Sequence, residues 1–180
     1  MNKTKKQLSE AFWQLLETKQ YNKITVQNIV ELCQVNRNTF YYHFPDIPAL
    51  AEYSICEWAD NIIGLNYIPD SPINCLMPIA EECTTRKEAC LHLYQSSHRD
   101  EFIRYLYRII DHMLNSYVEQ AKDNTGISSD DLNVLIHYYR CVYSGILLDW
   151  FKDGMSYDLP RFCNKIRVLY PNFGRNPINH

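Results

Sequence analysis

Apolar residues recur at helical spacing along almost the whole chain, without the alternation that marks a half-buried strand. Leu8, Phe12, Leu15 and Leu16 form one stripe. Val26, Ile29, Val30 and Cys33 form the next, directly after Thr25, whose hydroxyl suits a helix N-cap. Gln34-Val35 breaks the pattern, Asn36 supplies a second cap three residues before Thr39, and Phe40 and Phe44 share the face that follows. Two short helices joined within one turn is the rhythm of a helix-turn-helix. Downstream, the spacing predicts helices over residues 46–64, 85–96, 99–122, 130–152 and 159–170. Pro69, Pro72 and Pro78 break the chain, with Ser71-Pro72 a helix start and Pro78 a kink or interruption. Asn124-Thr125-Gly126 reads as a stop, and Ser128-Ser129-Asp130 as the cap of the helix after it. The expected fold is all-α, with a three-helix DNA-binding-type domain over residues 1–46 and a larger helical domain for regulation and dimerisation over residues 47–180.

The helix over 130–152 carries two apolar stripes. Leu132, Leu135, Tyr139, Val142, Ile146 and Trp150 follow 3-4 spacing, and Ile136, Tyr143, Leu147 and Phe151 run beside them. A helix apolar over so much of its circumference needs cover on two sides. One side belongs to its own domain and the other is assigned to a second copy of the chain, the alternative being that both stripes serve one monomeric core. Leu135, Tyr139, Val142, Ile146 and Trp150, with Phe162 and Ile166 from the last helix, are the expected dimer contacts, and Gly145 permits close approach.

At about 100° per residue, a helix over 37–43 turns Phe40 and Phe44 inward while Asn38 and Tyr42 point the opposite way, with Thr39 and Tyr41 on the flanks. Asn38 has the amide geometry for a bidentate contact to adenine. Arg37, at the amino end, suits a phosphate or the acceptor edge of guanine. Thr39, Tyr41 and His43 carry donors for phosphate oxygens. With Lys5, Thr25, Asn36 and Tyr42, these residues form the expected DNA contact set.

At these positions the chain resembles the TetR family of bacterial transcriptional regulators. The family pattern of Ala-Gly-Val-Ser, then Thr, an apolar residue, Tyr, any residue, His and Phe, becomes Cys33-Gln34-Val35-Asn36 and Thr39-Phe40-Tyr41-Tyr42-His43-Phe44 here, with Leu50 closing it. The likeness covers about the first fifty residues, including Tyr21-Asn22-Lys23-Ile24-Thr25-Val26. Gln34 replaces the turn glycine, at a cost of roughly 1 kcal/mol if the backbone there is left-handed. Ile47 replaces the lysine that opens the fourth helix beside a phosphate, and Pro45 and Pro48 flank it. The resemblance implies a four-helix dimer interface from the last two helices, a near-palindromic double-stranded operator, and repression as the sign of control. It also implies an effector cavity among the fourth to eighth helices, for which Trp58, Tyr94, Tyr105 and Tyr138 are the candidate lining. A small-molecule effector and a protein co-regulator both fit that domain.

Charge divides along the same line. The net charge of -3 over 180 residues conceals six Lys or Arg against three acids in residues 1–45, while the remainder is acidic. A basic module joined to an acidic one suits a nucleic-acid binder, with Lys3, Lys5 and Lys6 as a phosphate grip. Seven cysteines, an odd count with no CxxC pair, read as reduced core thiols, Cys75, Cys83 and Cys90 offering a redox alternative. His92, His98, His112 and His137 form no ligand spacing that stands out, so no metal or other cofactor is expected. No phosphate-cradling glycine loop, GxSxG or HExxH occurs, which argues against an enzyme. The amino terminus lacks a secretory signal and no segment suits a membrane span, so the expected location is cytoplasmic. The competing readings are an aromatic core patch on a helix pair that never meets DNA, and an interaction protein with weak DNA affinity.

Overall fold

The structure, a computed structural model, describes residues 3–65, 67, 69, 71–122 and 128–169, the side chains of 120–122 excepted. The predicted stop at Asn124-Thr125-Gly126 lies outside the described residues. Every regular element among those described is helical. They form two compact units, one from residues 1–61 and 86–105, the other from residues 62–85 and 106 onward.

The first unit is built on α1 (Lys3–Leu16), α2 (Val26–Cys33), α3 (Arg37–His43) and most of α4 (Ile47–Ile63). Its core is Leu8, Phe12, Leu16, Ile29, Phe40, Leu50 and Ile55, all fully buried. Each short helix begins on a side-chain cap. Thr25 accepts from the Asn28 amide at 3.2 Å while Asn28 Oδ1 accepts from the Thr25 amide, a reciprocal pair that satisfies two otherwise orphaned donors. Asn36 Oδ1 accepts from the Thr39 amide at 2.8 Å, and Asp46 from the Ala49 amide at 2.8 Å. α2 ends on Gln34 at φ 56°, in the left-handed region. There the Val35 amide reaches the Val30 carbonyl at 3.0 Å and the Gln34 amide the Glu31 carbonyl, the two bonds that close a Schellman turn.

A 3-10 turn at Tyr21–Lys23 joins α1 to α2. α6 (Lys87–Tyr94) packs on α1, and the first turns of α7 (Arg99–Lys122) complete the unit. The single predicted helix over 85–96 is therefore shorter, because the chain breaks at Arg86 (φ -119°, ψ 43°) between α5 (Met77–Thr85) and α6. Arg86 itself sits over the Trp13 ring at 5.4 Å.

The second unit holds a 3-10 segment at Pro72–Leu76, then α5, the rest of α7, α8 (Ser129–Lys152) and α9 (Leu159–Leu169). Pro78 falls at the second position of α5, where its missing N–H costs no hydrogen bond, so it opens this helix instead of kinking one. Ser128 caps α8 by accepting from the Asp131 amide at 3.2 Å. α8 stops at Gly154 (φ 67°), where the Met155 amide reaches back to Trp150 O at 2.8 Å. Trp150 Nε1 donates to Tyr157 O at 2.9 Å and fixes the connection into α9.

Two expected dimer residues face the wrong way for that role. Tyr139 and Trp150 are 8% and 1% exposed within their own chain, because they share the inward side of α8 with Leu132, Tyr143, Leu147 and Phe151. Leu135, Val142 and Ile146 are half-buried, as are Phe162 and Ile166 on α9, and Val134 and Tyr138 are exposed. The 3-4 seam read from sequence thus drifts around α8, since a straight helix turns about 3.6 residues per turn against the 3.5 of a strict heptad. The outward apolar line runs through Val134, Tyr138, Val142 and Ile146.

Candidate nucleic-acid interface

α3 is anchored from beneath by Phe40 and Phe44, 0% and 4% exposed, with ring centroids 6.2 Å apart. That anchoring turns the opposite face outward. Asn38 is exposed, Tyr41 is 54% exposed and Tyr42 84%, and none of the three makes a side-chain hydrogen bond. A tyrosine with five-sixths of its surface in water, on a helix already rooted by two phenylalanines, adds nothing to the core. Its ring and hydroxyl are available to something outside the chain.

The remaining expected contact residues divide by what already occupies them. Asn36 and Thr39 bond each other, with Thr39 Oγ1 donating to Asn36 Oδ1 at 3.1 Å, so both first serve the helix start. The Thr25 oxygen is an N-cap acceptor, which leaves its hydroxyl proton free to be donated. Arg37 Nε donates to Gln27 Oε1 at 2.9 Å, and Gln27 Nε2 donates to Glu31 Oε1 at 2.5 Å. This relay across α2 and α3 aims the guanidinium while its two terminal nitrogens stay uncommitted. Gln27 was not among the expected residues; only the juxtaposition of two helices reveals it. His43 is half-buried, its ring 4.9 Å from that of Tyr42.

Lys5 differs most from expectation. Its ammonium lies 5.4 Å from the Phe44 ring centre and 5.5 Å from that of Tyr53, a double cation–π contact that holds α1 against the end of α3 and the start of α4. Lys3 and Lys6, on the same turn, are exposed.

The four residues expected to line an effector cavity stand in different surroundings. Trp58 is wedged between Trp13 and Phe102, at 5.9 and 5.8 Å, and is 5% exposed. Tyr94 is 9% exposed, with the Arg99 guanidinium 4.5 Å over its ring and Arg99 Nη2 donating to its hydroxyl at 2.9 Å. Tyr105 is half-buried in the same unit, and Tyr138 stands 46% exposed on α8 in the other. Aromatics at helical spacing have gone to core and surface here, because spacing alone does not say which face a neighbour covers.

Burial also corrects the redox alternative. Cys75, Cys83 and Cys90 are fully buried, and burial pushes the Cys75 thiol far up from its ordinary range. Cys163 is likewise buried, its pKa raised to about 12 by desolvation. One His–Cys pairing does exist: Cys141 Sγ lies 3.9 Å from His137 Nε2 at i, i+4 on the exposed side of α8. No group of three or more His, Cys, Asp or Glu among the described residues is placed to hold a metal ion. No helix among them is long and apolar enough to cross a membrane.

A capped helix pair with a rooted second helix and an outward polar and aromatic face defines a helix-turn-helix protein. The pattern described as "Bacterial regulatory proteins, tetR family" matches residues 8–53, and that described as "Transcriptional regulator C-terminal region", of TetR type, matches residues 70–170. Among solved structures, the "Dihydroxyacetone kinase operon activator DhaS" superposes with a TM-score of 0.79 at 16% identity, covering 96% of both chains. The fatty acid degradation regulator FadR from Bacillus halodurans gives 0.64 at 13% identity, covering 94% of this chain and 95% of that one. A TetR transcriptional regulator from Rhodococcus sp. RHA1 gives 0.55 at 14% identity, covering 96% and 99%. No curated protein sequence matches the chain. The chain belongs to the TetR family of transcriptional regulators.

Proposed function

We propose that this regulator works as a homodimeric repressor in the cytoplasm, binding a near-palindromic operator through α3 and leaving it when an effector engages the helical domain. The observation that carries the reading is the face of α3. Asn38, Tyr41 and Tyr42 are exposed and uncommitted, while Phe40 and Phe44 fix the helix that presents them. Asn38 supplies the amide fork for adenine, Arg37 a guanidinium for guanine or phosphate, and Thr25, Tyr41, Tyr42 and His43 the flanking donors.

Dimerisation rests on the outward line of α8 and its neighbour α9. Leu135, Tyr138, Val142 and Ile146, with Phe162 and Ile166, leave apolar surface half or fully in water. Gly145 lies on the same side, and a Cβ built there meets nothing within 4 Å, so a second helix has room to approach. Two recognition helices on a twofold axis read half-sites about 34–36 Å apart, which is why the operator is expected to be near-palindromic. The effector acts only through a difference in affinity for the operator-bound and free arrangements, whether it is a small molecule or a protein co-regulator.

Selection of tight binders from random duplex DNA, followed by affinity measurements over a salt series, tests the reading. A palindromic motif with a large specificity ratio supports it. Weak, sequence-blind binding would overturn it in favour of an interaction protein with residual DNA affinity. A reporter under the selected operator reads the sign of regulation.

A further inference from the structure

The connection from α1 to α2 and the turn from α6 to α7 face each other within the first unit across a cleft of about 320 Å³. Ligand pockets begin at about 300 Å³, so this one suits a small molecule. Its walls include Gln20, Tyr21, Asn22, His92, Gln95 and Ser96, with no carboxylate, ammonium or guanidinium among the lining residues.

Part of the lining is locked. Tyr21 and His98 are hydrogen-bonded at 2.7 Å between the phenol oxygen and Nε2, and His98 Nδ1 lies 2.6 Å from Glu101 Oε2. His92 Nδ1 sits 2.7 Å from Leu16 O; a carbonyl only accepts, so Nδ1 carries the proton and Nε2 is the nitrogen left over. Ser96 Oγ donates to Leu93 O and accepts from the His98 amide. By contrast, the side-chain amides of Gln20, Asn22 and Gln95 make no hydrogen bond within the chain, and all three residues are exposed.

This division selects a ligand chemistry. An ion would lose its hydration with no counter-charge among the lining groups. An apolar molecule would cover three amides without satisfying them. A molecule bearing several neutral hydroxyls matches the amides, each of which offers a carbonyl and an NH₂ side by side. We propose that the cleft is a binding site for a small uncharged polyol or sugar. The site rests on the effector reading above and moves the effector to the first unit, where its occupant would bridge the segment that leads into α2 and the turn that leads into α7.

The test uses the full-length protein, nitrogen-15 labelled, titrated separately with glycerol, ribose and glucose, with glucose 6-phosphate as the charged control. The expected result is a saturable shift of the Asn22 and Gln95 side-chain amide resonances with at least one neutral probe. Gln95→Ala and Asn22→Ala should each weaken that binding about tenfold, the loss of one well-made hydrogen bond, without lowering the melting temperature. Absence of any shift across a millimolar range, equal binding of glucose 6-phosphate, or undiminished binding by both variants would overturn the site. Operator affinity is measured in parallel: sugar binding without operator binding upholds the site and sinks the regulator mechanism, and the reverse sinks the site alone.

Discussion

The Tyr21 hydroxyl lies 2.7 Å from His98 Nε2, with the two rings 4.6 Å apart, and this bond joins residues 77 positions distant in the chain. It fastens the segment leading into α2 to the first turn of α7, where Glu101 holds the other imidazole nitrogen. Burial, assisted by the nearby charges of Asp46 and Glu101, raises the Tyr21 phenol to about 12. The folded pKa is above the unfolded value of about 10, so the contribution is complete below pH 10 and disappears as the pH climbs through 12. Wild type should therefore exceed Tyr21→Phe in stability at neutral pH by about 1 kcal/mol, and the gap should narrow between pH 10 and 12. Urea unfolding across that range checks it; a constant gap would mean that Tyr21 ionises as easily folded as unfolded.

Gln34 occupies a left-handed turn that a glycine enters freely. Gln34→Gly is expected to raise stability by about 1 kcal/mol, since the strain of a side chain at φ 56° outweighs the added freedom of the unfolded glycine. Thermal unfolding measures the change, and a lower midpoint would show that Gln34 makes a compensating contact.

Asn38→Ala removes an exposed side chain with no hydrogen bond inside the chain, and Tyr42→Ala a ring that meets that of His43 at the surface, so neither should alter unfolding by more than about 1 kcal/mol. Each is expected to cost about 1–3 kcal/mol on the selected operator and much less on scrambled duplex. Equal losses on both DNAs would assign these residues to the phosphate backbone.

Ile146 and Trp150 lie one turn apart on α8 and should behave oppositely. Ile146→Glu places a charge on the outward line and is expected to give a folded monomer by sedimentation. Trp150→Ala empties a site that is 1% exposed and should destabilise the subunit itself by about 3–5 kcal/mol. A persistent Ile146→Glu dimer would place the seam on another surface.

Much of the helix-turn-helix was legible in the sequence, because its signals are local. Thr25, Asn36 and Ser128 cap the helices they were expected to cap, and Phe40 and Phe44 turn inward as their spacing requires. A cap or a helical face depends on residues within one or two turns, so the sequence carries it whole. The Gln34 conformation was legible only as a condition, through the turn glycine of the family that the chain resembles, and φ 56° meets that condition.

The sequence by itself determined an all-helical chain, the order of its helices, and a second short helix rooted by phenylalanine with asparagine and tyrosine outward. Tertiary packing decided which side of α8 is core, that Lys5 lies over two rings, that Trp58 and Tyr94 are packing residues, and that Tyr21 meets His98. The reason is one of range. Periodicity shows that a helix has an apolar face, but which neighbour covers it, and which distant polar groups come within bonding distance, depends on how separate helices cross. No local pattern encodes that crossing, because it is set by the packing of side chains far apart in the chain.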